Sequence, residues 1–150
     1  MRFINTSLLI IMFATMLTAC SSTPIKMHFQ SAQYLNPDFL NRSLPVQVKI
    51  YQLRADNTFL QATFRELWQQ DAATLGNDML NKHELIISPG RQVNTILTRN
   101  KECRYIGVIA IFRKPQESDW RVVEKVVRKL PLIAAKMKIT LRGYKIILQQ

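Results

Sequence analysis

Few residues of this chain are of a type that does chemistry: two cysteines, Cys20 and Cys103, two histidines, His28 and His83, and ten carboxylates. The histidines are far apart. Neither has a partner ligand three or four positions away or a place in a Cys/His cluster, so the spacing does not suit a metal. His83 and Glu84 are neighbours, but adjacent side chains on a strand point to opposite faces and would not cooperate in proton transfer. No Gly-x-Ser-x-Gly elbow, phosphate-cradling glycine loop or dinucleotide fingerprint occurs, and four glycines leave little room for one. No carboxylate pair has catalytic spacing. The expectation is a protein that is not an enzyme, with no metal and no cofactor beyond a covalent lipid.

That lipid is the chemistry of Cys20. Arg2 supplies a positive charge ahead of residues 8–17, which are apolar except for Thr15. Such a run is too short to span a bilayer, which needs about 20 residues, and it reads as an export signal over residues 1–19. The signal ends in Leu17-Thr18-Ala19-Cys20, which fits the bacterial lipobox. Cleavage before Cys20 would leave a thiol to carry diacylglycerol and an amine to carry a third acyl chain. Each buried CH₂ contributes about 0.8 kcal/mol, and two or more chains anchor stably. The plainer alternative is a soluble exported protein that happens to have Cys at the cut. Ser21 and Ser22 follow. In bacteria of the enteric type, the absence of Asp after the cysteine sends a lipoprotein to the outer membrane.

Removal of residues 1–19 from 150 leaves 131, enough for one domain with a core. The formal charge of +11 falls to +10 when Arg2 leaves with the signal. Export argues against nucleic acid as the partner of that charge. The basic residues are scattered rather than in a block, which suits a solvated face near anionic lipid headgroups or an acidic partner. With Cys20 acylated, Cys103 has no cysteine to pair with and reads as a small, buried or half-buried residue.

These positions have to be held by something, and the pattern is mostly strand. Residues 20–26 read as a lipidated tether, and a sandwich domain should occupy 27–150. Residues 27–32 place Met27, Phe29 and Ser31 on one face, and 46–53 alternate through Val46, Val48 and Ile50 with Gln47 and Lys49 opposite. Residues 84–87 and 91–98 are expected to form a hairpin about Pro89-Gly90. The apolar run 104–112 suits a central strand covered on both faces. Stretches 120–127, 137–142 and 144–148 complete seven or eight strands, the count of a β-sandwich. A helical insert, residues 59–79, joins the second and third strands. Thr63-Phe64-Arg65-Glu66 has the form of a capping box, Phe64, Leu67 and Trp68 share a helical face, and Gly76 ends a second turn. Trp68 could bind a partner, but core packing is the preferred reading. The connection 33–45, "QYLNPDFLNRSLP", is longer than a usual hairpin loop. Its aromatic, Asn, Asp and Arg side chains are those of an interface, unless the apolar ones tuck under the loop.

An ordered series of short motifs resembles the outer-membrane lipoprotein of the bacterial type VI secretion system, the TssJ/SciN family. It runs from Cys20 through Leu35-Asn36-Pro37-Asp38, Arg42-x-x-Pro45-Val46, Ile50-Tyr51-Gln52-Leu53, Phe64 with Leu67, and Leu75-Gly76-x-Asp78. It continues through Pro89-Gly90, Gly107-Val108-x-Ala110-x-Phe112-Arg113 and Trp120-Arg121. The resemblance implies a mainly β, transthyretin-like two-sheet sandwich with a helical insert. It also implies an anchor on the inner leaflet of the outer membrane that binds the periplasmic C-terminal region of the IcmF-like (TssM-type) inner-membrane subunit. The family uses the loop between the first two strands in that contact. Here that loop places Tyr34, Asn36, Asp38, Phe39 and Arg42 as partner-binding residues. A transthyretin-like carrier or pilot lipoprotein of another envelope system is the alternative binding role, and a periplasmic hydrolase the enzymatic one. Cys103 and the basic excess are not features of the resemblance.

Overall fold

A computed structural model describes residues 23–117, 119–126 and 134–149. The signal segment 1–19, the lipid site Cys20 and the sorting residues Ser21 and Ser22 lie outside the described residues. Among the described residues, eight strands form two four-stranded sheets. One has the order β4-β1-β7-β8, built from β1 (Ile25–Leu35), β4 (Gln92–Leu97), β7 (Ala135–Gly143) and β8 (Lys145–Gln149). The other has the order β3-β2-β5-β6, built from β3 (Met79–Ile87), β2 (Val46–Leu53), β5 (Tyr105–Ile111) and β6 (Arg121–Lys125). The β1–β7 pair is parallel, with Lys26 beside Lys136 and His28 beside Lys138, and the other pairs are antiparallel.

Alternation builds the layer between the sheets. Ile25, Met27 and Phe29 of β1 meet Val46, Val48 and Ile50 of β2 there, together with Ile106 and Val108, all buried. Each such aliphatic or aromatic group contributes about 1.5–3 kcal/mol on burial. β5 lies between β2 and β6, and residues 106–110 are all buried, as their unbroken apolar run requires.

A third layer covers the outer face of the β2 sheet. It consists of α1 (Asn57–Gln61), α2 (Phe64–Gln69), α3 (Asp71–Leu75) and a 3-10 turn, Gly76–Asp78. The capping box forms: Thr63 Oγ1 accepts the Glu66 amide at 3.3 Å and Glu66 Oε2 accepts the Thr63 amide at 2.7 Å. Those donors from Thr63 hold the Glu66 carboxyl below its usual range. Gly107 allows the insert to approach: a Cβ there would stand 2.8 Å from the Phe59 ring.

Three expectations need correction. Residues 84–87 and 91–98 are not a hairpin, because β3 and β4 belong to different sheets and β4 pairs with β1. The Pro89-Gly90 turn instead carries the chain from one sheet to the other. Gly90 donates its amide to Ala32 O at 3.0 Å, and the Ser31 hydroxyl donates to Ser88 O at 2.7 Å, so the corner is tied to β1. Lys49, one of the scattered basic residues read as a solvated face, does not face solvent, since the insert lies over it and leaves it 6% exposed. Trp68 is not in the core. It remains 45% exposed and lies against Phe64 in a tilted contact, with centroids 5.9 Å apart. A helix of six residues buries only its central contact, Leu67.

Beneath the insert, Lys49 Nζ donates to Trp68 O at 2.8 Å, Leu67 O at 3.3 Å and Asp71 Oδ2 at 3.0 Å. Asp71 Oδ2 also accepts from Tyr51 OH at 3.0 Å and Lys82 Nζ at 3.1 Å. Burial pushes the Asp71 carboxyl up, but Lys49, Lys82 and Tyr51 outweigh it and leave the carboxyl below its usual range. Burial is also the main reason that the Tyr51 phenol is pushed far above its usual range, with Asp71 adding to it. The arrangement is a clamp: Lys49 caps the carbonyls at the end of α2 and ties them to the sheet.

Candidate partner-binding site

β1 runs to Leu35, so the connection to β2 is residues 36–45. Asn36 and Asp38 give it a fixed shape. Asn36 has φ of +44° and Asn41 of +59°, values that Asn tolerates better than most residues. The Asn36 side chain is buried. Its Nδ2 donates to Pro45 O at 3.1 Å and its Oδ1 accepts the Arg113 amide at 2.9 Å. Its own amide donates to Gly143 O at 2.8 Å, and the Tyr144 hydroxyl donates to Pro37 O at 2.7 Å. The base of the loop is therefore fastened to β7 and to the segment after β5.

Asp38 holds the tip. Its Oδ1 accepts the amides of Leu40 at 2.8 Å and Arg42 at 2.9 Å, while Oδ2 accepts Arg42 Nε at 2.8 Å. Burial raises this carboxyl, but the Arg42 amide and guanidinium and the Leu40 amide outweigh it and hold it below its usual range.

The pinned loop presents an apolar surface. Phe39 is 80% exposed, Leu40 59% and Tyr34 51%. Arg42 keeps its side chain 69% exposed although its Nε is held by Asp38, so the outer edge of the guanidinium is open to a carboxylate. Leu35 tucks under the loop, fully buried, with Pro37 buried and Leu44 half-buried, while Tyr34, Phe39 and Leu40 project. Of the five residues read as partner-binding, Tyr34, Phe39 and Arg42 are at the surface. Asn36 and Asp38 are inside, as the frame that presents them. Trp68 and Leu60, 42% exposed, are further exposed apolar side chains, both on the insert. Sequence spacing assigned Trp68 to the core, and only the shortness of α2 could have argued otherwise.

Elsewhere the chemistry is sparse. Cys103 is buried with its thiol 3.4 Å from Tyr105 O, and burial pushes its pKa up, away from reactivity. His28 Nδ1 lies 2.6 Å from Asn94 Oδ1 on an outer sheet face. Among the described residues no group of three or more His, Cys, Asp and Glu could hold a metal.

Comparison with curated protein sequences returns no match. Solved structures do match. The chain is 25% identical to the type VI secretion lipoprotein TssJ1 from Pseudomonas aeruginosa, with a TM-score of 0.75 over 87% of this chain and 98% of that one. A chain of a type VI membrane complex matches with a TM-score of 0.77 at 23% identity, over 87% of this chain and 100% of that one. A chain in a structure described as the TssM C-terminal domain (869-1107) from EAEC matches at 22% identity and a TM-score of 0.74, over 85% and 98% of the two chains. A family profile described as type VI secretion lipoprotein, VasD, EvfM, TssJ, matches residues 23–144. With its two sheets, its insert and that match over most of its length, the chain belongs to this family of structural, non-enzymatic secretion lipoproteins.

Proposed function

We propose that this lipoprotein is a structural anchor of a type VI secretion membrane complex. Lipid on Cys20 holds it to the inner leaflet of the outer membrane, facing the periplasm. Its 36–45 loop binds the periplasmic C-terminal region of the TssM-type inner-membrane subunit. The observation that carries the reading is the loop with the strand end that leads into it: exposed Phe39 and Leu40, with Tyr34 at the end of β1 and a half-engaged Arg42, on a frame fixed by buried Asn36 and Asp38. Apolar anchors on a preorganised loop lose little conformational entropy on binding, which is what a stable contact needs. The likeness to a chain of a type VI membrane complex and to one in a TssM C-terminal domain structure supports this choice of partner.

Two variants test placement and contact separately in cells. Ser21→Asp should retain the lipoprotein at the inner membrane and abolish secretion while leaving the fold intact. Normal secretion by that variant would contradict an outer-membrane role. A photo-crosslinking residue at position 39 should capture the TssM-type subunit, whereas one at position 86 on β3 should not. Capture at 86 and none at 39 would place the interface elsewhere on the sandwich.

A further inference from the structure

The basic excess has a place in the fold. None of the ten acidic residues lies in β1, β4, β7 or β8. At the end of the sandwich where β1 begins, cations gather. Gln52 ties this end together, donating from Nε2 to Thr98 O at 2.8 Å and accepting the Asn100 amide at 2.7 Å. Lys26 and Lys136 stand side by side on β1 and β7, and Lys101, Arg104 and Lys125 lie on the adjoining segments of the other strands. All five are exposed, and none is paired with a carboxylate among the described residues. The acids nearby are Glu102, which pairs with Arg54 at 2.6 Å, and the exposed Glu124. A cleft of about 410 Å³ opens here beside Arg99, Lys101 and Arg104.

We propose that this basic end rests on the anionic phospholipid headgroups of the leaflet that holds the lipid, so that the sandwich stands on the membrane with its strands upright. The inference rests on lipidation at Cys20, as proposed above. Two observations choose the membrane as occupant. The cations are complementary to headgroup phosphates, and they surround the end of the domain at which the tether enters. Cys20 is five residues from Ile25, which limits the separation to about 18 Å for an extended chain. The tether thus lets these charges reach the surface and confines them near it, where attraction is felt within about 8 Å at physiological salt. The consequence is orientation. β1 leads from this end to the 36–45 loop, and its eleven residues span about 36 Å. The docked domain therefore points the loop away from the membrane, toward a partner rooted opposite.

The test uses the mature lipidated protein, residues 20–150, in vesicles, labelled with a membrane-impermeant amine reagent and read residue by residue by mass spectrometry. In vesicles containing phosphatidylglycerol, Lys26, Lys101, Lys125 and Lys136 should be protected relative to phosphatidylcholine vesicles, and Lys114 should label equally in both. Each cation near an anionic surface favours it by about fivefold, so Lys101→Gln with Lys136→Gln should reduce the preference for phosphatidylglycerol by about 25-fold. Protection should also disappear as salt rises. Equal labelling of the basic end in both vesicle types would overturn the proposal. Protection that arises only when the TssM-type periplasmic region is added would overturn it and assign this end to a protein. Flotation with phosphatidylcholine vesicles reports the lipid anchor separately, and a chain that does not float would refute the lipidation on which the proposal stands.

Discussion

Replacing Lys49 by Met should destabilise the domain by about 3 kcal/mol, because breaking a buried ion pair typically costs 3–5 kcal/mol. The perturbation removes one ammonium with three acceptors, Trp68 O, Leu67 O and Asp71 Oδ2, and leaves the apolar stem to pack. Asp71 retains Lys82 at 3.1 Å and Tyr51 at 3.0 Å, which brings the cost to the lower end of that range. For a domain of this size such a loss lowers Tm by roughly 10 °C. Urea unfolding followed by circular dichroism measures it, as a shift in midpoint with unchanged slope. Adding Asp71→Asn should restore at least about 1 kcal/mol, because the carboxylate that lost its partner is then neutral. A Lys49→Met protein within about 0.5 kcal/mol of the parent, the range of an ordinary surface substitution, would refute the clamp. So would a double variant that recovers nothing.

Acid should weaken the same clamp. The folded Asp71 carboxyl lies below its unfolded value, so its stabilisation is complete above about pH 5 and is lost as pH falls through the lower folded value. Asp71→Asn should therefore show a smaller loss of stability than the parent between about pH 5 and pH 3 in urea titrations. Gly107→Ala should cost about 1–3 kcal/mol in the same assay, since the new methyl would meet the buried Phe59 ring at 2.8 Å and Leu53 at 3.1 Å. Asn36→Ala should cost about 2 kcal/mol by orphaning Pro45 O and the Arg113 amide. It should also raise hydrogen exchange across residues 36–45.

The sandwich was legible because its strands bury alternate residues. Val46, Val48 and Ile50 reveal their common face by spacing alone, and the unbroken run 106–110 reveals a strand covered twice. The capping box of α2 is a local pattern and was equally plain. What spacing could not convey is which element covers which face. Lys49 looks like a solvent residue until the insert is placed over β2. The first half of β3, residues 79–83, is half-buried or exposed at a sheet edge and carries too little apolar alternation to be read as strand. Pro89-Gly90 signals a turn, but a turn that changes sheets and a turn that closes a hairpin use the same residues. In the loop, composition marked the right segment without separating roles. Asp38 and Arg42 are equally polar in sequence, and only folding turns one inward to hold the loop and leaves the other at the surface.

The central claim is that the pinned loop is the contact with the TssM-type subunit. It is tested most directly by calorimetric titration of the domain, residues 21–150, against that subunit's periplasmic C-terminal region. Removing a central aromatic or Arg anchor typically costs 2 kcal/mol or more, so Phe39→Ala and Arg42→Ala should each weaken binding by about thirtyfold. Because Phe39 is 80% exposed in the free domain, its loss should leave Tm unchanged. A Phe39→Ala, Arg42→Ala double variant that remains folded and binds with the affinity of the parent would contradict the account.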